Sequence, residues 1–310
     1  MRNQAAMGGS PLMLYTCLLD GVQCKNLQAI CVARGWEPNS VAYSSFAYRG
    51  SNVHVVAYPS GKVVITGKGT EDFVRFTVEA EITGQYRLGY NEVHHEDWFE
   101  DHGGMDESGK GDLFGPLVSA CVLGGKEQVR HWLDAGVRDS KAIATGREVR
   151  RLASLIYKTD GAVVEVFTLG MRKYNELYGG FGSNLNKLLA WYHSKSLANA
   201  LQRRSVGRVL LDQFTHQPLV QTFYRGPAAT IAMRPRAEDD PVVAAASIVA
   251  RAEYLRSMEQ LSQTAGETLL RGAGDAVLEQ AKGLVHRLGP SALGEFAKLH
   301  FTTAQRALFS

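Results

Sequence analysis

Three groups of acidic residues, far apart along the 310-residue chain, share a setting that suits metal chemistry. Asp106 and Glu107 are adjacent in "GMDESGKGDLFGPLV", Asp212 follows the apolar run "VLL", and the acidic run at 238–240 precedes "PVVAAAS". A carboxylate at the end of a buried strand is costly unless a positive charge or hydrogen bonds compensate it. Three such groups in one pocket would suit Mg²⁺ or Mn²⁺, which prefer oxygen ligands and offset the repulsion between carboxylates.

Each acidic group also has a purely structural interpretation. A single acid can cap a helix or pair with an arginine, and this is the simpler explanation for any one of them. The run at 238–240, taken alone, is more typical of a helix N-terminus, whereas Asp212 alone fits either role equally well. Only the joint occurrence of these acids favours a shared metal site.

The segments that would position these acids alternate between strand and helix patterns. After the acidic pair come "GPLVSACVLGG", "GREVRRLASLIYKT", "AVVEVFTLG", "NLNKLLAWYHSKSLANALQR", "VGRVLLDQF" and "PVVAAASIVARAEYLRSMEQL", followed by helical patterns at 274–288 and 291–297. Buried runs that alternate with amphipathic runs predict an α/β layered sheet.

The segment at 14–82 has a pattern of its own. It predicts a helix over 20–34, a meander of three antiparallel strands over 40–69, and a second helix that Thr70 caps. Helix, strands and helix together indicate a small α+β unit.

Residues 83–103 break every periodicity and concentrate acids, so we expect the domain boundary there. His94, His95 and His102 lie in this stretch and could be offered as a metal site. Their spacing matches no standard set of ligands, and a solvated linker is the better interpretation.

Composition sets broader limits. With 45% apolar and 21% charged residues the chain is typical of globular proteins, and a net charge of +3 neither requires nor excludes a nucleic-acid partner. No run reaches the roughly 18 apolar residues of a membrane span. The N-terminus lacks the apolar core of a secretory signal, and the four cysteines show no CxxC spacing. We therefore expect a cytoplasmic protein in a reducing compartment.

The acidic motif and six further segments, in order, resemble the type 2 ribonucleases H. The segments are "RDSKAI", "YNELY", "NLNKLLAWYHSKSLANAL", "LLDQF", "VAAASIVAR" and "KLHF". The lysine of "SGKGD" resembles ribonuclease HIII rather than HII, which usually has arginine there. "SGKVVITGKGTEDFVRF" is similar to the TBP-like substrate-binding domain that HIII carries and HII lacks.

The resemblance implies an architecture and an activity. We expect a disordered lead-in at 1–12, a TBP-like domain at 13–88, a linker at 89–102, and a ribonuclease H-like catalytic domain with a mixed sheet flanked by helices at 103–310. The implied enzyme is an endoribonuclease that cleaves the RNA strand of RNA/DNA hybrids with two Mg²⁺ or Mn²⁺ ions. Its products would carry a 5′-phosphate and a 3′-hydroxyl.

By the same resemblance, Asp106, Glu107 and Asp212 are metal-binding catalytic acids. A regular pleat would send Asp106 and Glu107 to opposite faces of the sheet. We therefore expect the strand to end or kink at this pair, helped by the backbone freedom of the glycines that follow.

The fourth acid follows from a looser match. The family has an acid about ten residues before the serine of "AAAS", and that position is Ala237 here. Because "RAED" resembles the family's "KAES", we assign Glu238 as the fourth catalytic acid, with Asp239 and Asp240 as open alternatives.

We expect the loop after the acidic pair to bind and recognise the RNA strand. Small residues let its backbone approach a phosphate or a ribose 2′-hydroxyl, the group that distinguishes RNA from DNA. Its residues are Ser108, Gly109, Lys110 and Gly111. A tight turn without binding function is the alternative.

Three other polar residues, Lys141, Asn184 and Lys187, are candidates for phosphate contacts, although a solvated helix face explains them equally well. His193 is expected to be packed rather than catalytic.

The N-terminal unit interleaves aromatic and basic residues on its predicted strands, which is typical of a sheet that binds a duplex. These residues are Tyr43, Phe46, Tyr48, Tyr58, Arg49, Lys62 and Lys68. About half of the aromatic side chains must face the core, so the sequence does not choose among them.

Two other functions remain possible at this stage. One is HII-like incision at single ribonucleotides in DNA, and the other is a non-catalytic module that binds hybrids. We expect a monomer that binds hybrid duplex without an obligate protein partner or a membrane.

Overall fold

The computed structural model describes residues 14–84, 95–137 and 143–309. The chain divides into two compact units, Met1–Glu96 and Asp97–Ser310. The predicted lead-in, the first part of the predicted linker and Lys141 lie outside the described residues.

The first unit is an antiparallel sheet with two helical segments. Its elements are β1 (Leu14–Leu18), α1 (Gly21–Ala33), β2 (Glu37–Pro38), β3 (Phe46–Arg49), β4 (His54–Ala57), β5 (Lys62–Thr66) and α2 (Thr70–Phe73), which continues as a π-helix over Val74–Thr83. The five strands lie in the order β1-β5-β4-β3-β2.

Most of this unit agrees with the sequence patterns. Strands β3 to β5 form the predicted meander, and α1 is the predicted first helix. Asp20 caps α1 by accepting the N–H groups of Val22 and Gln23, while the Gln23 side chain accepts the Asp20 N–H. This reciprocal capping box fixes where the helix begins.

Two features of the first unit differ from the predictions. Strand β1 was not predicted; it pairs with β5 at the edge of the sheet, where its outward residues stay exposed. Thr70 is not the cap of α2. It is the first residue of the helix, and its hydroxyl donates to the Gly67 carbonyl at 2.8 Å instead.

The second unit contains a mixed sheet between layers of helices. Its elements are a 3₁₀ turn (Glu96–Phe99), β6 (His102–Ser108), β7 (Val118–Gly124), α3 (Lys126–Asp134), α4 (Gly146–Lys158), β8 (Val163–Thr168), α5 (Met171–Gly180), α6 (Leu185–Arg203), β9 (Arg208–Asp212), α7 (Leu219–Phe223), β10 (Thr230–Arg234), a 3₁₀ turn (Ala237–Asp239), α8 (Pro241–Ala265), α9 (Asp275–Leu288), a 3₁₀ turn (Pro290–Glu295) and α10 (Thr302–Leu308).

The strand order of the second sheet is β10-β9-β6-β7-β8. Strands β6, β7 and β8 are antiparallel neighbours, whereas β9 and β10 run parallel to β6. This mixed sheet flanked by helices confirms the predicted fold class of the catalytic part.

Alternate residues of β7 enter two separate cores. Ala120 and Val122 pack in the core that includes α8, and Cys121 and Leu123 pack in the core that includes α6. The sheet therefore has α8 on one face and α6 on the other, and side chains of β6 point alternately toward these two helices.

Helix α8 passes very close to β6. A Cβ atom at Gly104 would lie 2.3 Å from the backbone of Val242 and Val243, so only glycine fits there. This close approach sets the height of α8 over the residues that follow Gly104. Among the described residues, no helix is both long and apolar enough to span a membrane.

Candidate active site

Two parallel strands bring Asp106 and Asp212 to the same edge of the sheet. Strands β6 and β9 pair in register up to Met105 opposite Leu211, so the next residue of each strand is an aspartate. Neighbouring strands lie about 4.8 Å apart. The sequence placed Asp212 where its strand leaves the core, and the structure confirms that position.

Asp106 points toward α8. It accepts a hydrogen bond from the Ser247 side chain on α8 and another from the Glu107 N–H at 2.8 Å. Burial, followed by the negative charges of Glu107 and Asp212, raises the pKa of Asp106 from 3.8 to about 7. The carboxyl group therefore stands in an excess of negative charge.

Glu107 points to the other face of the sheet, toward α6. Its Oε2 accepts a hydrogen bond from His193 Nε2 at 3.2 Å, and its Oε1 lies 3.6 Å from Lys110 Nζ. Burial acts to raise the pKa of Glu107, but His193 and Lys110 outweigh it and lower the pKa overall.

The expected end or kink of the strand at the acidic pair is wrong. Strand β6 continues to Ser108, with Asp106, Glu107 and Ser108 paired in register with β7. The regular pleat is kept, and the two carboxylates go to opposite faces, one toward α8 and one toward α6. Both remain at the end of the sheet where β9 stops, so no distortion is needed to bring their charges together.

Asp212 connects this edge to the acidic run at 238–240. Its Oδ1 accepts the Ala237 N–H at 3.1 Å. Ala237 begins the 3₁₀ turn that contains Glu238, so this hydrogen bond to its N–H group holds the turn against the end of β9.

Two members of the acidic run have structural roles. Asp239 forms an ion pair with Arg234 at 2.5 Å. Asp240 is fully buried and caps α8 by accepting the N–H groups of Val242 and Val243. These are the roles that the structural interpretation of isolated acids predicts, which leaves Glu238 as our candidate for the fourth acid.

His102 is not part of a solvated linker. It is the first residue of β6, has no exposed surface, and contacts Asp240 through Nε2 at 3.1 Å and the Glu100 carbonyl through Nδ1 at 2.7 Å. This histidine connects the start of β6 to the start of α8 through its contact with Asp240. The predicted linker therefore ends before His102.

The chemistry of the acidic cluster fits divalent cations. Burial and, after it, the charges of Glu107 and Asp212 raise the pKa of Asp106, and a bound cation would stabilise the ionised carboxylate against all three. Within the described ranges, no three Asp, Glu, His or Cys side chains are oriented so that they already enclose an ion. Asp106, Glu107 and Asp212 instead accept hydrogen bonds from neighbouring groups, some of which a bound cation would replace.

The loop at 108–111 begins in β6 and passes beneath α8. Gly109 has a φ of +85°, and a Cβ atom there would lie 2.3 Å from the Pro116 carbonyl oxygen. A Cβ atom at Gly111 would meet nothing within 4 Å. Packing therefore requires the first glycine, whereas the second leaves open space beside the chain.

The Lys110 side chain lies against Glu107 and Phe214 rather than extending into solvent. Besides Glu107, it faces the Phe214 ring, with Nζ 5.6 Å from the ring centroid. Its side chain keeps 35% of its surface exposed, so it stays accessible to a ligand.

The two helix residues proposed for phosphate contacts lie at the start of α6. Asn184 caps the helix, because its side-chain oxygen accepts the Lys187 N–H at 3.0 Å. Both side chains are exposed. The structure gives Asn184 a capping function and leaves the Lys187 amino group on the surface.

The aromatic residues of the first unit separate into two groups. Phe46 and Tyr48 pack against the hydrophobic core, so they face away from a ligand on the outer surface of the sheet. Tyr43 is 91% exposed and has a φ of +62° in a turn.

Sequence reasoning missed two residues of the site. Ser247 was used only as a landmark, yet it holds Asp106. His193 was expected to be packed, and it is fully buried, but it also contacts Glu107. The signal for His193 was a titratable ring in the middle of a helix whose buried residues are mostly apolar.

Comparison with known proteins gives consistent matches over both units. A family model described as Ribonuclease HII matches residues 103–304. A protein named Ribonuclease HIII from Protochlamydia amoebophila is 33% identical over 301 residues, which cover 96% of this chain and 98% of that relative. Another Ribonuclease HIII, from Chlamydia pneumoniae, is 37% identical over 264 residues, 83% of this chain and 86% of the relative.

Solved structures agree. The crystal structure of Bst-RNase HIII in complex with Mn²⁺ matches with a TM-score of 0.66 and 28% identity, covering 95% of this chain and 98% of that one. RNase H3 of Aquifex aeolicus matches with a TM-score of 0.55 and 25% identity, covering 93% and 100%. The similarity therefore extends through nearly the whole length of the proteins compared.

Proposed function

Because the chain belongs to the ribonuclease HIII family, we propose that the acids gathered at the ends of β6 and β9 form its catalytic site. These acids are Asp106, Glu107 and Asp212, to which we add Glu238 from the 3₁₀ turn that Asp212 contacts through the Ala237 N–H. The enzyme is an endoribonuclease that cleaves the RNA strand of RNA/DNA hybrids with Mg²⁺ or Mn²⁺. The observation that carries the site assignment is the register of β6 and β9, which sets Asp106 beside Asp212.

The residues of the site divide the work. When bound, divalent cations would supply the Lewis acidity that metal-assisted phosphodiester hydrolysis uses. The carboxylates would hold the cations, and Ser247 fixes the orientation of Asp106. Lys110 and the backbone of the loop at 108–111 bind the RNA strand and its 2′-hydroxyl. Exposed Lys187 adds a phosphate contact, and we propose the same for Lys141.

The other functions considered from the sequence are not favoured. The family match extends over both units, and the lysine of "SGKG" is present, which argues against HII-like incision. The chain retains Asp106, Glu107 and Asp212, which argues against a non-catalytic binding module.

We also propose a cytoplasmic monomer. All four cysteines are free thiols, which suits a reducing compartment. Gel filtration with light scattering gives a single species of monomer mass if this proposal is correct, and a dimer mass overturns it.

Replacement of Asp106 by Asn tests the site. The side chain keeps its size and its acceptor for Ser247 but loses its charge, and the lost electrostatic stabilisation of several kcal/mol lowers the cleavage rate by about 100-fold or more. Hybrid binding, measured by fluorescence anisotropy without added metal, stays within about threefold of wild type.

Two matched substitutions test the fourth acid. Glu238→Gln lowers cleavage as Asp106→Asn does, whereas Asp239→Asn, which breaks only the ion pair to Arg234, keeps near wild-type activity. If Asp239→Asn abolished cleavage and Glu238→Gln did not, the assignment would move to Asp239. A substrate with one embedded ribonucleotide, assayed in parallel, should be cleaved less efficiently than the hybrid.

A further inference from the structure

A chain of hydrogen bonds leads from Glu107 into the interior of the second unit. His193 Nε2 donates to Glu107 Oε2 at 3.2 Å, and His193 Nδ1 lies 2.9 Å from the Ser119 hydroxyl. Ser119 lies 2.9 Å from the Ser196 hydroxyl, which in turn donates to the His193 carbonyl at 3.2 Å. Three of these four residues, the histidine and both serines, are fully buried.

The imidazole is fixed in position as well as hydrogen-bonded. Its ring stacks on Phe214 with the centroids 5.6 Å apart and the planes 26° from parallel. Ser119 lies on β7 directly opposite Glu107, so the strand pairing sets the distance between the carboxylate and the serine that supports the ring. The imidazole fills the space between them, and its two nitrogens face two different partners.

The two oxygens of Glu107 are held very differently. Oε2 contacts His193, whose side chain has no exposed surface, whereas Oε1 is 3.6 Å from the partly exposed Lys110. A hydrogen bond from a fully buried imidazole to a carboxylate is harder to break than a partly exposed ion pair at 3.6 Å. Oε1 is therefore the oxygen that can exchange its partner for a cation.

We propose that His193 is a positioning residue that fixes Glu107 Oε2 and thereby presents Oε1 to a divalent cation. Residues that orient a ligand in this way raise metal affinity by about 10- to 100-fold. This inference rests on the proposed role of Glu107 as a metal ligand. It gives the histidine a function beyond packing.

Two substitutions separate orientation from packing. His193→Phe keeps a flat ring against Phe214 but has no N–H group, whereas His193→Gln keeps an N–H donor within reach of Glu107. We measure Mn²⁺ binding to the substrate-free protein by the loss of free Mn²⁺ signal in electron paramagnetic resonance, together with the Mn²⁺ dependence of cleavage. We expect about 10-fold weaker Mn²⁺ binding for His193→Phe and an effect of less than about threefold for His193→Gln.

His300→Phe is the matched control. His300 also stacks on an aromatic ring, that of Tyr178 at 4.1 Å, but its hydrogen-bond partner is Tyr174 rather than an acid of the cluster. This variant should bind Mn²⁺ as wild type does. Equal Mn²⁺ affinity of His193→Phe and wild type would show that His193 only fills space.

Two further variants keep the outcome decisive. If His193→Phe fails to fold, as shown by its thermal unfolding, Ser119→Ala removes the support of Nδ1 without altering the ring, and wild-type Mn²⁺ affinity of that variant overturns the proposal. Asp106→Asn reports on the site itself. If Asp106→Asn cleaves hybrids normally, the site assignment fails; if only the His193 variants behave as wild type, the site assignment stands and the positioning role fails.

Discussion

At the scale of single residues, Asp106 makes the stability of the folded protein depend on pH. Its pKa is raised from 3.8 to about 7 by burial and by the charges of Glu107 and Asp212, so without cations the folded protein holds a proton that the unfolded chain releases in this range. The folded state therefore loses stability as pH rises through this window, by up to about 1.4 kcal/mol per pH unit.

The variant Asp106→Asn isolates this effect. Urea unfolding in EDTA should show that the variant gains stability relative to wild type between about pH 4 and pH 7. The comparison of the two proteins cancels the contribution of His300, whose pKa is lowered to about 4 by burial and by Lys298 and which acts with the opposite sign. Stability curves that stay parallel across this range would contradict the electrostatic account of the cluster.

The two glycines of the loop at 108–111 allow packing and substrate contact to be tested separately. At Gly109 a Cβ atom would meet the Pro116 oxygen and the Tyr254 ring with the backbone at positive φ, so Gly109→Ala should cost about 2 kcal/mol or more in the free energy of unfolding. Gly111→Ala meets open space and should change stability by less than about 0.5 kcal/mol.

The informative measurement for Gly111→Ala is KM for a hybrid. A methyl group on a backbone that must approach a ribose raises KM while thermal unfolding stays unchanged. If KM also stays unchanged, the loop does not approach the substrate at this residue.

At the scale of elements, the start of β6 and the start of α8 are joined by one buried pair. His102 contacts Asp240, which also caps α8. Asp240→Ala removes the cap and leaves Nε2 of the buried His102 imidazole without its partner, so we expect a loss of about 3 kcal/mol in the free energy of unfolding. Asp240→Asn keeps an oxygen for the cap and should lose about 1 kcal/mol, by chemical denaturation. Equal losses would show that the cap contributes little.

Elements were predictable where local pattern determines them. Helices α6 and α8 and strands β8 and β9 follow from periodicity, and the sequence located Asp212 at a strand end. The contacts that complete the site were not predictable, because His102 and Asp240 are 138 positions apart and His193 and Glu107 are 86 apart. The sequence does not reveal that two polar residues so far apart along the chain form a hydrogen bond with each other in the folded protein. The regular pleat at Asp106 was misjudged because the helices on both faces were not considered together.

At the scale of the whole molecule, we propose that the outer face of the first unit's sheet contacts the duplex. In the sheet of the first unit, the residues that alternate with the core residues point outward. Arg49 pairs with His54, and His54 pairs with Thr66, so these three residues share the outer face. Lys62 lies on the same face of β5. Phe46 and Tyr48 belong to the core face. Of the residues considered from the sequence, the basic ones therefore fit a duplex contact better than these two aromatics.

Replacement of Arg49 and Lys62 by Ala tests this surface. Each phosphate contact that is lost lowers the slope of log KM against log salt by about 0.9, so the double variant should bind hybrids more weakly at low salt and resemble wild type at high salt, with kcat unchanged. Lys25→Ala removes one positive charge, half of what the double variant loses, from exposed α1, which packs on the core face of the sheet through Leu27 and Cys31. If Lys25→Ala shifts log KM by half as much as the double variant or more, net charge rather than the outer face of the sheet attracts the substrate.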